Sequence, residues 1–288
     1  MQSMREKIRT LLKDCSEEKQ RPDGSVYHGI SLIKELEIAQ RTGAELYDIE
    51  GLALACGITP IRFSRNQRFL SLRDQQKLHR ASVAVIGLGG LGGAVTELLA
   101  RLGVGNLTLI DGDVFDETNL NRQQLCTTSN LGTSKAEVAT TRVGQLNPAT
   151  RITGHAFFLN QENGPELLAT VDCVIDCLDT ITDRFVLEKI CKGLNIPMVS
   201  AAIAGCSGQA TLIEPGKNSL KTVYGDPEKA PQRGVEASLG TLAYTAAFMA
   251  SIECAEVVNI ILGKKSCLRG NLLFADLSDY SVQHIRGV

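Results

Sequence analysis

One stretch beginning at Val83 limits the folds open to this chain more than any other feature. VAVIGLGGLGG consists of a β-branched apolar run, then a glycine-rich turn, then the start of a helix. Glycine at Gly87, Gly89, Gly90 and Gly92 lets the backbone approach a phosphate closely, and the N-terminus of the following helix favours negative charge. The stretch therefore predicts a nucleotide-binding strand–turn–helix unit.

The residues that follow supply charged groups for such a site. LTLIDGD (107–113) is typical of a second strand ending in carboxylates, and Asp111 lies about 20 residues beyond the glycines, where an acidic residue can hydrogen-bond a ribose. NLNRQQ and GTSKAE then provide Asn119, Arg122 and Lys135. Two cations beside a phosphate-binding turn suit a polyphosphate whose charge is redistributed during reaction.

From Val83 onward, predicted strands alternate with predicted helices. VAVIG, LTLIDGD, ITGHAFF, CVIDCLD and PMVSAAI are typical of strands, and helical segments of about ten or more residues separate them. This alternation predicts an α/β fold with a doubly wound, Rossmann-like, mostly parallel sheet, to which QATLIEP (209–215) adds a late antiparallel strand. Residues 216–236 are expected to form a long loop. The apolar segment after it is expected to be a core helix or a subunit interface.

Residues 1–60 are predicted to form a small N-terminal helical domain ahead of a main domain at 61–288. Apolar residues recur at helical spacing, with breaks at Gly43 and Gly57, and RPDGS (21–25) is expected to be a turn or a flexible link. The rhythm of residues 36–55 also fits a helix-turn-helix. Its acidic character favours a packing role over DNA binding.

Composition narrows the possible partners. The net charge is −2 and the isoelectric point is about 6.1, so the whole molecule has no electrostatic attraction to nucleic acid or to an anionic membrane. No run approaches the roughly 20 apolar residues of a membrane span, and the N-terminus lacks a signal-peptide core. Nine dispersed cysteines without a CxxC pair suggest reduced thiols. We therefore expect a cytoplasmic protein with no membrane or nucleic-acid partner.

Several blocks occur together in one order along the chain. They are RFSRNQ (62–67), GLGGLGG (87–93), LIDGD with NLNRQ (109–123), GTSKAE (132–137), DCLDTITDR (176–184) and a late helix ending in NIILG (259–263). In this order and spacing the blocks resemble the MoeB/ThiF/HesA family, bacterial relatives of the ubiquitin-activating enzymes, over about residues 61–288. The resemblance implies an adenylyltransferase that uses ATP and Mg²⁺. Its partner would be a small ubiquitin-like (ThiS/MoaD-type) sulfur-carrier protein, whose C-terminal Gly-Gly carboxylate it activates with release of pyrophosphate.

The same resemblance implies roles for individual side chains. Asp111 would bind the ribose, and the phosphates would be held by Asn119, Arg122 and Gln123. Lys135 would neutralise charge at the α-phosphate, and Asp179 would hold Mg²⁺. Arg65 would reach into the partner subunit's site of a homodimer. Simpler interpretations exist for some of these positions. Lys135 could be a solvated lysine at a helix start, and Arg65 could belong to a solvated cluster with Arg62 and Arg68. Asp183 and Arg184, at the start of the next helix, are interpreted as helix-dipole and surface residues.

Two departures from the family pattern concern cysteine. Many relatives hold a structural zinc with two CxxC pairs, which this chain lacks, so we expect no zinc site. Relatives that form a covalent link usually have a cysteine just before the late helix, where this chain has PQRGVEASLG (231–240). Cys206 is the one thiol considered as a substitute, although a small buried residue is the favoured interpretation.

Two other functional classes remain open at this point. An NAD-dependent oxidoreductase shares the fold and the glycine pattern, but it does not need Arg122, Lys135 and Asp179 together, because backbone amides already hold a dinucleotide pyrophosphate. A nucleotide-sensing regulator could use residues 1–60 to bind DNA, which salt-dependent binding would reveal.

Overall fold

A computed structural model describes residues 2–232 and 234–287. The N-terminal unit contains both helices and strands. In chain order it consists of α1 (Gln2–Cys15), β1 (Glu17–Gln20), β2 (Val26–Ile30), α2 (Leu32–Thr42), α3 (Leu46–Ala55) and β3 (Thr59–Pro60). β1 pairs antiparallel with β2, and β2 pairs parallel with β3.

The β-hairpin corrects the expectation that this unit is only helical. RPDGS forms its turn, in which the Arg21 amide donates to the Ser25 carbonyl at 2.8 Å. The strands were missed because they are short and β1 is polar and largely exposed. The helices follow local signals: the Ser31 side chain caps α2, and Gly43 ends it in the left-handed conformation at φ +71°. Apolar side chains of α1, α2, α3 and β2 form a core within this unit.

The rest of the chain builds one large sheet covered by helices. Its elements are α4 (Leu72–Arg80), β4 (Ser82–Ile86), α5 (Gly90–Leu102), β5 (Asn106–Ile110), α6 (Lys135–Leu146), β6 (Arg151–His155), α7 (Gly164–Leu168), β7 (Cys173–Asp176), α8 (Ile181–Leu194), β8 (Met198–Ala204), β9 (Ser207–Ile213), α9 (Lys221–Tyr224), α10 (Glu236–Leu239), α11 (Ala243–Leu262), β10 (Asn271–Asp276) and β11 (Ser281–Arg286).

The strand order is β11-β10-β9-β8-β7-β4-β5-β6. β8, β7, β4, β5 and β6 are parallel, whereas β9, β10 and β11 are antiparallel to their neighbours. This confirms the predicted doubly wound, mostly parallel sheet with late antiparallel strands. The chain leaves β4 for β5 on one side and later returns to β7 on the other, so the order reverses at β4. Ligands of such sheets bind in the crevice at this reversal, beyond the carboxyl ends of the strands.

The long apolar helix α11 packs across α5, β8 and β9 on one face of the sheet. The expectation that no run approaches a membrane span needs correction, because α11 could cross a membrane by length and composition, with a mean hydropathy of 1.6. Of its apolar window, 56% is buried inside the fold, as in a core helix. Its outward face remains apolar where Tyr244 and Ala247 are exposed and Phe248 is partly exposed. The helix therefore belongs to the core and also has an apolar outer face.

A polar junction joins the N-terminal unit to the main sheet. Arg62 pairs with Glu35 at 2.6 Å and also with Glu50, and Glu50 lies 2.9 Å from Nδ1 of His79 on α4. Tyr47 of α3 stacks on the His79 ring with centroids 4.3 Å apart. The second helix of the predicted helix-turn-helix is thus packed against α4, not presented to solvent as a DNA-reading helix would be.

Candidate functional site

A cavity of about 360 Å³ lies at the carboxyl ends of β4, β5 and β7, where the strand order reverses. The glycine turn forms its floor, and the segments after β5 and β7 form its sides. Of the residues predicted for the site, the cavity is lined by Gly87, Gly89, Gly90, Asp111, Arg122, Gln123, Lys135 and Asp179. Gly92, Asn119 and Arg65 are not among its lining residues.

The glycines of the turn serve two physical purposes. Gly87 has φ +87°, and a Cβ there would lie 2.7 Å from the Cys177 carbonyl oxygen. A Cβ on Gly92 would lie 1.8 Å from the Gly87 oxygen. These two glycines allow the turn to pack against itself and against the segment after β7. Gly89 and Gly90 face the cavity at the start of α5, where backbone amides and the helix dipole favour an anion.

Asp111 ends β5 and is already engaged by backbone. Its Oδ2 accepts from the Leu88 amide at 2.6 Å, and its Oδ1 accepts from the Asp113 amide at 2.8 Å. Burial raises the pKa of Asp111, and these two hydrogen bonds act against that rise. The carboxylate therefore ties the glycine turn to the end of β5, and Asp111 also lines the cavity.

Lys135 is the first residue of α6, and it is only 7% exposed. Its Nζ lies 3.0 Å from Oδ2 of Asp113, which also lines the cavity. The solvated-lysine interpretation is therefore wrong. A buried ammonium at a helix N-terminus is unfavourable unless an anion pairs with it, and the Asp113 carboxylate supplies that partner at the cavity.

Arg122 and Gln123 occupy the opposite side of the glycine turn. Arg122 donates to the Thr118 carbonyl at 3.0 Å and to Oδ1 of Asn121 at 2.9 Å, which fixes the guanidinium, while its backbone oxygen and Cγ lie beside Gly90. Gln123 lines the cavity, and its buried Oε1 has no hydrogen-bond partner among the described residues. An unpartnered amide oxygen on a residue of the cavity wall fits a site built for a polar ligand.

Asn119 does not line the cavity, and its side chain instead forms a local hydrogen bond with the backbone. Its Oδ1 accepts from the Asp116 amide at 3.1 Å, and Asp116 caps the following short turn in return. This reciprocal capping holds the loop that presents Arg122 and Gln123.

Asp179 follows β7 and lines the cavity facing the glycine turn. Within residues 2–232 and 234–287, no three or more His, Cys, Asp or Glu side chains are grouped to hold a metal ion by themselves. Mg²⁺ bound with nucleotide needs only one or two carboxylates, because phosphate oxygens and water complete its shell. Asp179 fits that donor set. The absence of zinc stays a prediction.

The structure corrects the interpretation of Arg184 as a surface residue. Arg184 is 4% exposed, pairs with Asp176 Oδ2 at 2.8 Å, and lines the inner wall of the cavity. Asp183, by contrast, does take part in the helix start, where its amide donates to Thr180 Oγ1 at 3.2 Å.

The loop predicted at 216–236 is partly helical, because it contains α9 and the first residue of α10, and with the residues up to 241 it forms a covering segment beside the cavity. Tyr224, Glu236 and Thr241 line the cavity from this segment. Two hydrogen bonds hold the later part of this segment: the Ile181 amide donates to the Gln232 carbonyl, and the Gly205 amide donates to the Gly240 carbonyl. Arg233, inside the predicted cysteine-free stretch, lies outside the described residues.

Sequence reasoning missed Phe157 and Phe158, which line the cavity just after β6. Phe158 is 66% exposed and packs over Gly112. The available signal was the aromatic pair at the end of ITGHAFF, which was assigned to a strand. Cys206 lies in the β8–β9 turn, half-buried, with Sγ 3.5 Å from Asp276 Oδ1, and it does not line the cavity.

The arginines of RFSRNQ and its neighbour have different environments. Arg62 lies in the junction described above, and Arg68 pairs with Asp23 in the N-terminal unit. Arg65 is exposed and away from this chain's own cavity. Two members of the suspected cluster thus have structural partners.

Together the glycine turn, the two cations and the carboxylates around one cavity at the sheet's reversal are the arrangement of a doubly wound α/β protein with a polar ligand site. The chain belongs to the ThiF family, whose sequence profile matches residues 63–287.

Curated relatives agree with this membership. The protein named adenylyltransferase and sulfurtransferase MOCS3 of Drosophila grimshawi is 34% identical over 233 residues, which cover 77% of this chain and 51% of the relative. The SAMP-activating enzyme E1 of Haloferax volcanii is 33% identical over 214 residues, covering 73% of this chain and 78% of the relative. The chain spans about half the length of the MOCS3 proteins it matches.

Solved structures share the fold. E. coli MccB with MccA-N7isoASN superposes with a TM-score of 0.67 at 22% identity, covering 78% of this chain and 71% of MccB. PaaA superposes with a TM-score of 0.66 at 20% identity and covers 95% of this chain and 99% of PaaA. MccB has also been crystallised with ATP, and that structure has a TM-score of 0.61 at 21% identity, covering 83% of this chain and 69% of MccB.

Proposed function

We propose that this chain is an ATP-dependent adenylyltransferase that activates the C-terminal glycine carboxylate of a small ubiquitin-like sulfur carrier. The observation behind the proposal is the placement of Lys135, Arg122 and Asp179 around one glycine turn at the sheet's reversal. The names of the MOCS3 and SAMP-activating relatives support the reaction class, and the ATP-bound MccB supports the nucleotide.

The residues suit the chemistry of carboxylate activation. The carrier's carboxylate oxygen attacks the α-phosphorus, a P–O bond forms, and the bond to pyrophosphate breaks. Repulsion between the anionic carboxylate and the triphosphate opposes this attack, so positioned cations lower the barrier. Lys135, held by Asp113, would lie at the α-phosphate, while Arg122 would stabilise the leaving pyrophosphate. Asp179 would hold Mg²⁺, which neutralises phosphate charge.

The substrate would enter beneath the covering segment. Thr241 and Glu236 line the cavity from that segment, and a Gly-Gly tail would suit this entrance because it carries no side chains. No cysteine occurs between residues 207 and 253, so the cycle proposed here ends at the acyl-adenylate. We further propose that the protein works as a cytoplasmic homodimer in which Arg65 completes the partner's site.

An NAD-dependent activity is less consistent with the site. A dinucleotide pyrophosphate is held by backbone amides and needs no buried lysine at the neighbouring helix start. Lys135 is buried beside Asp113 and would have no task in hydride transfer. Calorimetry separates the two functions: we expect binding of MgATP in preference to NAD. Micromolar NAD affinity without ATP binding would exclude the proposed reaction.

The direct test is incubation with ATP, Mg²⁺ and candidate carriers that end in Gly-Gly. We expect mass spectrometry to detect the carrier plus AMP, with one pyrophosphate released per carrier. A carrier lacking its last glycine is the matched negative control. Pyrophosphate release that does not depend on any carboxylate substrate would contradict the proposed function.

A further inference from the structure

We infer that Arg184 is a positioning residue, which holds the Asp179 segment in the conformation that receives the metal. The inference rests on the proposed role of Asp179. It arises from a buried hydrogen-bond network that the proposed reaction does not by itself require.

Arg184 lies in the first turn of α8, an unfavourable place for a cation because the helix dipole is positive there. It is also almost fully buried, and burial of a charge is costly unless it is paired and hydrogen-bonded. Both unfavourable terms are offset by three hydrogen bonds that the Arg184 guanidinium donates. Their acceptors are Asp176 Oδ2 at 2.8 Å, the Ala201 carbonyl at 2.8 Å, and the Leu178 carbonyl. We therefore attribute to Arg184 a role in fixing the backbone conformation at these acceptors.

The backbone of Leu178 is fixed on both sides by this network. Asp176 Oδ1 accepts from the Leu178 amide at 3.1 Å, while Arg184 donates to the Leu178 carbonyl. The Leu178 carbonyl and the Asp179 amide belong to the same planar peptide group. By holding that carbonyl, Arg184 sets the plane from which the Asp179 side chain projects into the cavity.

Surrounding groups leave the network few alternatives. Ser200 Oγ donates to Asp176 Oδ2 at 2.6 Å, which uses a further lone pair of that carboxylate. Glu253 of α11 lies at 3.9 Å from Cys177 Sγ, and burial raises the pKa of this glutamic acid well above its usual value. The Asp176–Arg184 ion pair is therefore held by the hydrogen bond from Ser200 and by those that Arg184 donates to the Leu178 and Ala201 carbonyls.

The test measures how much Mg²⁺ strengthens ATP binding. Calorimetry with ATP in Mg²⁺ and with ATP in EDTA gives a ratio of dissociation constants, for which we expect about tenfold in the unaltered protein, within the usual range of coupling between two ligands. We expect Arg184→Lys to reduce this ratio to nearly one, and the ratio is the readout because it isolates the contribution of the metal from any change in ATP affinity in EDTA. Lysine keeps the charge opposite Asp176, so the protein should fold. Its single ammonium cannot reach Asp176 and the Leu178 carbonyl together.

Three further variants make the outcomes distinct. Asp179→Asn should also reduce the ratio of dissociation constants to nearly one. The double variant, Asp179→Asn with Arg184→Lys, should reduce the ratio no further than Asp179→Asn alone. Arg62→Gln disrupts another mostly buried ion pair far from the cavity and should lower thermal stability without changing the ratio.

A folded Arg184→Lys variant that keeps the full Mg²⁺ effect, while Asp179→Asn loses it, would overturn the role of Arg184 and leave the proposed function intact. If Asp179→Asn keeps the effect, the metal assignment itself fails, and the inference about Arg184 fails with it. A loss of the effect in Arg62→Gln as well would show that general destabilisation, not positioning, is responsible.

Discussion

At the scale of single residues, the two cations of the site are held in different ways. Lys135 is buried and paired with Asp113, whereas Arg122 is half-exposed and oriented by the Thr118 carbonyl. Both hold a charge in place before any ligand arrives. Preorganised charge is what stabilises a reacting phosphate, because no reorganisation is required during the reaction.

We expect Lys135→Ala and Arg122→Ala each to lower adenylation by roughly 10²–10³, the usual loss for one preorganised donor. Pyrophosphate exchange measures the effect. Lys217→Ala, which removes an exposed lysine paired with Glu214, is the matched control and should retain full activity. Unaltered exchange rates in either site variant would show that the phosphate assignments are wrong.

The glycine turn allows a sharper stability test. A Cβ on Gly92 would meet the Gly87 oxygen at 1.8 Å, whereas a Cβ on Gly90 would find its first neighbour at 3.5 Å, an ordinary contact. We expect Gly92→Ala to destabilise the fold by about 1–3 kcal/mol or more, the usual cost of overpacking. Gly90→Ala should melt close to the unaltered protein, as thermal denaturation will show. Equal melting temperatures for both variants would contradict the packing described for this turn.

At the scale of elements, the contact between α3 and α4 joins the N-terminal unit to the main sheet through buried charges. His79 lies between Glu50 and the Tyr47 ring. Burial lowers the pKa of His79 from 6.5 to about 4, and the positive charge of Arg62 acts in the same direction. The imidazole is therefore neutral in the folded protein near pH 6, where it would be largely protonated in the unfolded chain.

The sign of the pH effect follows from proton binding. Between about pH 6.5 and 4 the unfolded chain binds more protons at His79 than the folded protein does, so stability falls as the pH falls through this window. Burial raises the pKa of Glu35, which acts in the opposite sense, so the difference between variants is the informative quantity. We expect His79→Gln to lose less stability than the unaltered protein between pH 6.5 and 4 in chemical denaturation. Parallel curves for the two proteins would exclude the contribution of His79.

At the scale of the whole molecule, two features suggest a second copy of the chain. Arg65 is exposed and away from its own cavity, and α11 has an apolar outer face. In a two-fold dimer each subunit can donate an arm to the other's site.

We therefore expect Arg65→Ala and Lys135→Ala each to be nearly inactive alone. When the two variants exchange subunits, about a quarter of the sites should recover activity, because half of the dimers are mixed and each mixed dimer has one intact site. Arg73→Ala, an exposed arginine on α4, is the control and should be active alone. Confirmed exchange without recovery would place Arg65 outside the partner's site. A monomer by light scattering would remove the basis for the proposal.

Local patterns in the sequence determined the order of strands and helices in the main sheet, the glycine turn, and part of the cavity lining, namely Asp111, Arg122, Gln123, Lys135 and Asp179. They could do so because alternation, glycine conformation and helix capping act over a few neighbouring residues. The position of the site followed as well, since parallel strands place their carboxyl ends at one edge of the sheet.

Only the tertiary structure decided which polar residues are buried. Arg184 looks like a surface residue in sequence, and its burial depends on β8 bringing Ser200 and Ala201 beside Asp176. The same holds for Phe158 over Gly112, and for Arg62 between two glutamates of the N-terminal unit. These pairings join residues from separate elements, and their energy depends on local burial, which no short stretch of sequence specifies.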